Sequence, residues 1–150
     1  MSQTYTKLLI HAVWSTKRRE KVIDAEMRPR LFNYMSGIAM NIGVIPLAVG
    51  GVEDHVHVLL WLKPDQSISK VIQTIKSNSS RWLNQTFPES AFRRSQRGYS
   101  AFSIGVAQVE RTERYIRNQA EHHKQQSYHA ELRGFLARHG LELDPTDEGD

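Results

Sequence analysis

Apolar and polar residues alternate near the start of the chain with the period of two that is typical of a β-strand. The alternation covers residues 5–14 and places Leu8, Ile10, Ala12 and Trp14 on one face. Further strands are predicted over 44–52, 55–62 and within GYSAFSIGV, 98–106. The pair Gly50-Gly51 favours a bulge or a close backbone approach.

Helical periodicity fills the intervening and following segments. One helix is predicted from Asp24, as N-cap, to Gly43, as C-terminal stop, and another after the N-cap Ser67. Two more are predicted over 108–126 and 127–139. The apolar stripe of the first helix comprises Leu31, Tyr34, Met35, Ile38 and Ile42. That of the second comprises Ile68, Val71, Ile72, Ile75 and Leu83.

The order β-α-β-β-α-β with added helices predicts an α+β fold of the ferredoxin-like, split βαβ type. It consists of an antiparallel sheet with helices on one face, plus C-terminal helices. With 150 residues the chain is expected to form a single domain over 1–140, followed by an acidic, flexible tail over 141–150. Because this fold supports many functions, it says little about chemistry.

The composition of the chain excludes several kinds of functional site and argues against a membrane location. The chain has no cysteine, which excludes disulfides, thiolate metal ligands and cysteine nucleophiles. It has no apolar run near the ~20 residues of a membrane span, and its N-terminal residues lack the pattern of a signal peptide. A cytoplasmic protein without a membrane segment is therefore expected.

Charge is distributed unevenly along the chain. Five of the 16 acidic residues lie in the last ten positions, which contain no Lys or Arg, so residues 1–140 carry 20 basic and 11 acidic side chains. A basic excess of this kind favours a polyanionic partner through counterion release, although basic side chains can also serve solubility alone.

Two histidines interrupt the apolar strand GGVEDHVHVLLWL, residues 50–62. In a strand, His55 and His57 project from one face about 7 Å apart, and both imidazoles can reach one metal ion at ~2 Å. The opposite face carries Val56, Val58, Leu60 and Leu62. The alternative is a pair of hydrogen-bonded surface histidines, because the motif is short.

A polar stripe follows the predicted helix 108–126. At 100° per residue, one face collects Gln108, Arg111, Tyr115, Gln119, His122 and Gln126. The core-facing stripe is predicted to comprise Val109, Thr112, Ile116 and Ala120. Tyr115 is therefore not required as a core residue and is a candidate functional group, or else an exposed tyrosine on a polar helix.

These motifs together resemble the single-tyrosine, HUH-type transposases of bacterial insertion sequences. The resemblance extends from HAVWSTKRR through GGVEDHVHVLL, QRGYSAFSIG and YIRNQAEHHK to SYHAELRGFLARHG, nearly the whole chain. It implies that His55 and His57 bind a metal, that Gln119 is the third ligand and that Tyr115 is the nucleophile. The segment SQRGYS, 95–100, departs from the family pattern, which often has Trp-Gln before Gly-Tyr and a glycine after it.

The resemblance also implies a reaction. A Mg²⁺ or Mn²⁺ ion held by two neutral imidazoles and one amide keeps its full charge and acts as a Lewis acid on a phosphodiester. The tyrosine then cleaves single-stranded DNA, leaving a 5′-phosphotyrosine that a 3′-OH can rejoin. Expected partners are hairpin-containing element ends and a second copy of the chain, in a homodimer with shared active sites.

Several basic residues are candidate nucleic-acid contacts, although each could be a solvated charge. They are Lys17, Arg18, Arg19, Arg93, Arg94, Arg97, Arg111 and His122. For His122 a role as a simple polar neighbour is favoured. Tyr99 and Trp82 could stack on unpaired bases, with Trp82 favoured as a core or interface residue.

Two other functions remain open. One is a noncatalytic module that binds single-stranded nucleic acid. The other is a phosphodiester hydrolase that uses a histidine-bound metal and water; the sequence argues against it because no additional carboxylates or histidines cluster near the pair. For Asp54 two roles are open, a hydrogen bond to the imidazole of His55 or the closing of a turn, and the turn is favoured.

Overall fold

The computed structural model describes residues 3–144, which form one four-stranded antiparallel sheet and five α-helices. The strands are β1 (Leu8–Ser15), β2 (Ile45–Gly51), β3 (His55–Leu62) and β4 (Ser100–Ser103). The helices are α1 (Arg28–Asn41), α2 (Ile68–Thr86), α3 (Val109–Arg117), α4 (Gln119–His122) and α5 (Tyr128–Arg138). The strand order β2-β3-β1-β4 confirms the predicted ferredoxin-like arrangement.

The register of the sheet places the histidine pair in its centre. β1 pairs with β3 along its whole length, with Val13 opposite His57, and β2 pairs on the other side, with Gly50 opposite His57. Both imidazoles thus lie on one interior strand, β3, which has a neighbouring strand on either side.

One face of the sheet packs against α1 and α2 and forms the main core. The predicted apolar face of β3 lies there, and the predicted helix residues Leu31, Met35, Val71, Ile72 and Leu83 are buried against it. Ser67 caps α2 by accepting a hydrogen bond from the Lys70 N–H, as predicted. Trp82 also contacts this core and stacks on Tyr34, with ring centroids 4.7 Å apart.

The other face, which carries His55 and His57, is covered by α3 and α5. Ile116 of α3 packs on Ala48 and Leu59, while Tyr128 and Leu132 of α5 pack on the strands β1 and β4. The C-terminal helices therefore form a second layer over the histidine face.

Two predicted helix boundaries were wrong. The first helix begins at Arg28 rather than Asp24, because the Asp24 carboxylate accepts a hydrogen bond from the Met27 N–H and forms a preceding turn. The predicted helix 108–126 is interrupted at Asn118, which ends α3 before α4 begins. As a result, Ala120 is exposed rather than core-facing, and Gln119 is buried.

The predicted tail 141–150 lies mostly outside the described residues. In its described part, Leu143 packs against the cluster beneath α5. Among residues 3–144, no helix is long and apolar enough to cross a membrane.

Gly50 permits the close approach of α3 to β2. A Cβ at this position would overlap the Ile116 carbonyl oxygen, which is backbone and has no alternative rotamer. Because Gly50 is opposite His57 in the sheet, this contact determines where α3 lies relative to the imidazole pair. The predicted close backbone approach is confirmed here, while the bulge in β2 lies between Pro46 and Ala48.

We expect Gly50→Ala to lower the free energy of unfolding by about 2 kcal/mol, since overpacking against backbone typically costs 1–3 kcal/mol. The matched control is Gly37→Ala in α1, where an added Cβ would meet nothing within 4 Å; its effect should be neutral or stabilising by up to about 1 kcal/mol. Urea denaturation followed by circular dichroism measures both. Equal stabilities for the two variants would contradict the proposed packing constraint.

Candidate active site

His55 and His57 are fully buried, and each has a hydrogen-bond partner on its Nδ1 atom. Nδ1 of His55 lies 2.7 Å from the Asp54 carboxylate, and Nδ1 of His57 lies 2.8 Å from Nε2 of His11 on the neighbouring strand. These partners orient both rings, so that the two Nε2 atoms point to the same side. The hydrogen bond between Asp54 and His55, the less favoured of the two roles of Asp54, is therefore present.

Gln119 and Glu131 lie in front of the two Nε2 atoms. Oε1 of Gln119 is 3.0 Å from Nε2 of His55, and Oε1 of Glu131 is 2.9 Å from Nε2 of His57 and 3.4 Å from Nε2 of His55. Both side chains are almost completely buried. The structure thus brings Gln119 to the histidine pair, next to which the family resemblance implies it lies.

Tyr115 reaches the same site from α3, four residues before Gln119. Its hydroxyl donates a hydrogen bond to Oε2 of Glu131, and the centroid of its ring is 5.7 Å from that of His57. The side-chain nitrogen of Gln119, Nε2, lies 3.4 Å from the backbone carbonyl oxygen of Tyr115. This contact keeps the two residues on the same side of the site although the helix breaks at Asn118. The phenol and the amide therefore meet both imidazoles within a single chain.

Donor atoms from four residues are close enough to hold one metal ion. The ligand atoms of His55, His57, His123 and Glu131 all lie within 4.8 Å of one another. Buried polar groups need partners, and here the imidazoles of β3 are held from behind and converge at the front, which is how metal ligands are arranged. The residues present therefore fit a divalent cation.

Electrostatic effects give the site groups different protonation states. Burial alone would lower the pKa of His55, but the hydrogen bonds to Asp54 and Glu131 outweigh it and raise that pKa to about 9. Burial lowers the pKa of His57 to about 4 and that of His11 to about 3. At neutral pH a cationic His55 therefore lies beside two neutral imidazoles.

The same interactions act on the two acids of the site. Burial would raise the pKa of Glu131, but its hydrogen bonds with His123, His55 and His57 hold that pKa well below the usual range. Burial and the hydrogen bond to Glu131 raise the pKa of Tyr115 above its ordinary value. Glu131 is therefore an anion at the centre of the site, and Tyr115 is a phenol that keeps its proton.

Sequence reasoning missed His11, His123 and Glu131, and the statement that no further carboxylate or histidine clusters at the pair was wrong. His11 belongs to β1, and His123 and Glu131 follow the tyrosine helix. Nothing in their local spacing links them to β3. The one signal available was the parity of β1, which puts His11 on the face opposite Ala12.

The predicted basic contacts form two neighbouring loops beside the site. The Lys17 N–H donates to the Arg94 carbonyl oxygen, and Thr16 pairs with Ser95, so segments 17–19 and 93–97 lie side by side. Arg19 contacts Nδ1 of His129 at 2.7 Å. Arg93 binds the carbonyl oxygens of Ser90 and Phe92 within its own loop.

Arg111 and His122 lie next to Tyr115. Together with Tyr115 they line an open groove between α3 and the start of α5. The His122 ring is edge-on to the Tyr115 ring, with centroids 4.6 Å apart. His122 is therefore in direct contact with the phenol.

Comparison with known proteins agrees with this geometry. The profile of the family "Transposase IS200 like" matches residues 4–119. The ISDra2 transposase TnpA of Deinococcus radiodurans is 29% identical over 83 residues, which are 55% of this chain and 59% of that relative. The match thus spans less than two thirds of the relative's length.

Two solved structures share the fold. A protein of Deinococcus radiodurans R1 described as a candidate transposase is 25% identical, with a TM-score of 0.62 over 79% of this chain and 96% of its own. A REP-associated tyrosine transposase bound to a REP hairpin has a TM-score of 0.52 at 14% identity, covering 77% of this chain and 70% of its own. Since the family profile spans most of the chain, including the histidine strand, Tyr115 and Gln119, the chain belongs to the IS200-like transposase family.

Proposed function

We propose that this protein is a metal-dependent DNA transposase that cleaves and rejoins single-stranded DNA through a 5′-phosphotyrosine intermediate. The observation that carries the proposal is the meeting of one tyrosine hydroxyl with a converging pair of imidazoles in a buried site. His57 and Tyr115 are on separate elements, yet their rings lie 5.7 Å apart. Membership of the transposase family supports the same reaction.

His55, His57 and Gln119 are the proposed metal ligands. His57 and Gln119 offer neutral donor atoms, and His55 would bind the ion after losing the proton that its hydrogen bonds to Asp54 and Glu131 favour without a cation. Asp54 and His11 keep the two rings in place from behind. When bound, Mg²⁺ or Mn²⁺ supplies positive charge that polarises the non-bridging oxygens of the scissile phosphate. The mixed nitrogen and oxygen donor set suits Mn²⁺ at least as well as Mg²⁺.

Tyr115 is the proposed nucleophile. Its oxygen, after losing the phenolic proton, forms a bond to phosphorus while the bond from phosphorus to the 3′-oxygen breaks. The 3′-oxygen takes up a proton and leaves as a 3′-OH, and the DNA 5′ end remains on Tyr115 as a phosphotyrosine ester. Because the ester conserves the bond, another 3′-OH can reverse the step without an external energy source.

The strand is proposed to follow the basic side chains beside the site. Lys17, Arg18, Arg19, Arg93, Arg94, Arg97, Arg111 and His122 are the proposed contacts. Adjacency of the 17–19 and 93–97 loops supports a continuous path for the phosphates. The hairpin held by the REP-associated neighbour supports hairpin-containing element ends as the substrate.

A hydrolase that uses metal-bound water is the second candidate. The observation that favours it is the set of additional donors around the pair, namely the buried His11 and Glu131 and the partly buried His123. This reaction would not need Tyr115, and no covalent protein–DNA product would form. The position of the phenol in the site favours the transposase.

We expect Tyr115→Phe to abolish covalent adduct formation, because phenylalanine has no oxygen to attack phosphorus, while binding of single-stranded DNA stays within about twofold. The measurement is incubation with labelled single-stranded flanking DNA and Mn²⁺, followed by a denaturing gel with SDS. The matched control is Tyr5→Phe, an exposed tyrosine in the segment before β1, which should retain full adduct.

Cleavage by Tyr115→Phe at the wild-type rate would instead identify the hydrolase. A noncatalytic binding module would be favoured if the wild type and all variants bind DNA equally and none of them cleaves any of many candidate ends.

We also propose a homodimer, and the chain's own geometry makes a prediction about it. Tyr115 and His57 meet within one chain, which supports a site formed within each subunit over the shared sites that the family resemblance implies. We expect a mixture of Tyr115→Phe and His57→Ala chains to give no more adduct than the two variants give separately. Restoration of the adduct on mixing would show that the tyrosine of one subunit serves the histidines of the other.

The basic loops give a prediction on salt dependence. We expect Arg18→Gln together with Arg97→Gln to weaken single-stranded DNA binding and to reduce the slope of log affinity against log salt by about 0.7 for each lost phosphate contact. Fluorescence anisotropy over a salt series measures the slope. The control is Lys63→Gln, because Lys63 follows the end of β3 that is opposite His55. It should leave the salt slope unchanged. An equal reduction of the slope in the control would refute the proposed path of the DNA strand.

A further inference from the structure

Glu131 lies outside the part of the chain that matches the family profile, which ends at residue 119. It is carried by α5, and its side chain is 2% exposed, which is rare for a glutamate. Burial of a carboxylate costs several kcal/mol unless charges or hydrogen bonds compensate it. Its partners therefore identify what the carboxylate does.

The two oxygens of Glu131 have different partners. Oε1 lies 2.9 Å from Nε2 of His57 and 3.4 Å from Nε2 of His55, the atoms proposed to bind the metal. Oε2 accepts the hydrogen bond from the Tyr115 hydroxyl and lies 3.1 Å from Nε2 of His123. One carboxylate thus connects the imidazole pair to the phenol.

We infer that Glu131 is a further metal ligand of this site and a positioning residue for Tyr115. Oε1 binds the cation beside His55 and His57, and Oε2 holds the Tyr115 hydroxyl next to it. This inference rests on the proposed function, because it concerns the same metal and the same nucleophile. It goes beyond that proposal by adding an anionic ligand from a helix that the family profile does not include.

His123 supports this assignment. Its Nδ1 lies 2.6 Å from the Gln126 carbonyl oxygen, which can only accept, so Nδ1 carries a proton and Nε2 faces Glu131. Nε2 of His123 is within the same 4.8 Å group as the other donor atoms. The donors available thus include three imidazoles and one carboxylate, in addition to the Gln119 amide.

The carboxylate strengthens the binding of a divalent cation, and the imidazoles decide which cation the site prefers. Three neutral ligands leave a divalent ion with its full charge, whereas Glu131 reduces the charge of the complex by one and strengthens binding electrostatically. Nitrogen-rich sites bind Mn²⁺ better than Mg²⁺, which is usually held by oxygen ligands and water. We therefore expect Mn²⁺ to bind more tightly than Mg²⁺.

A different role for Glu131 predicts the opposite effect of the same substitution. If the carboxylate only neutralises the histidines and must leave before a cation enters, removing its charge should raise metal affinity or leave it unchanged. If the carboxylate is a ligand, removing its charge should lower metal affinity. The sign of the change therefore decides between the two roles.

The test measures Mn²⁺ binding to the full chain. Electron paramagnetic resonance detects the free ion, so that the bound fraction is known at each concentration. We expect Glu131→Gln to weaken Mn²⁺ binding by at least about tenfold. Loss of a group that only supports a metal ligand already lowers metal affinity by about this factor, and loss of a ligand should lower it at least as much. Glu121→Gln is the matched control, since Glu121 is an exposed glutamate on α4 that pairs with Lys124, and it should bind Mn²⁺ like wild type. Wild-type affinity or tighter binding in Glu131→Gln would overturn the inference.

His57→Ala separates this inference from the proposed function. Loss of Mn²⁺ binding in His57→Ala with wild-type binding in Glu131→Gln refutes the role of Glu131 and leaves the proposed metal site intact. Wild-type Mn²⁺ binding in His57→Ala as well would refute the metal site itself, and with it both proposals.

A measurement on the wild-type chain keeps the inference testable if Glu131→Gln does not fold. The infrared difference spectrum between Mn²⁺-loaded and Mn²⁺-free protein, with the glutamate carboxyl carbons labelled with ¹³C, reports directly on a ligating carboxylate. We expect a shifted glutamate carboxylate band on metal binding. A difference spectrum without a glutamate band would overturn the assignment.

Discussion

Two imidazoles buried on the central strand β3 impose the constraint on which the rest of the site depends. A buried ring needs a partner for each nitrogen, because water is excluded. Asp54 and His11 take the Nδ1 positions of His55 and His57, so the two Nε2 atoms are directed to a common point. Without these partners the rings could rotate, and the donors would no longer converge.

The backbone of the sheet determines what meets these rings. Gly50 is opposite His57 and has no Cβ, which lets the carbonyl end of α3 lie directly on β2. The helix therefore ends beside the imidazoles, and the break at Asn118 turns Gln119 inward while Tyr115 stays one turn away. Fold and site are coupled at this contact, since a shift of α3 would move the phenol and the amide together.

Glu131 places a negative charge among the histidines at the centre of the candidate active site. One buried anion faces several histidines, whose hydrogen bonds lower its pKa. Together with Asp54 it raises the pKa of His55, and together with burial it raises the pKa of Tyr115. Because Glu131 lies on α5, the charge of the site depends on the position of this C-terminal helix as well as on the sheet. The electrostatics of the proposed chemistry are therefore distributed over the whole chain, beyond the residues that match the family.

The sequence by itself determined the strands, the apolar face of β3 and the cap of α2, because periodicity and capping are local properties. It singled out His55, His57, Tyr115 and Gln119 as candidates through the resemblance of its motifs to a known family. Only the tertiary structure decided that His11, His123 and Glu131 join them, that Asp54 orients a ring and that the long C-terminal helix breaks. These features depend on strand register and on α5 packing over the sheet, which bring together residues that are far apart in the chain. Such contacts leave no periodic trace in the sequence, and for that reason the charge at the centre of the site could be located only in three dimensions.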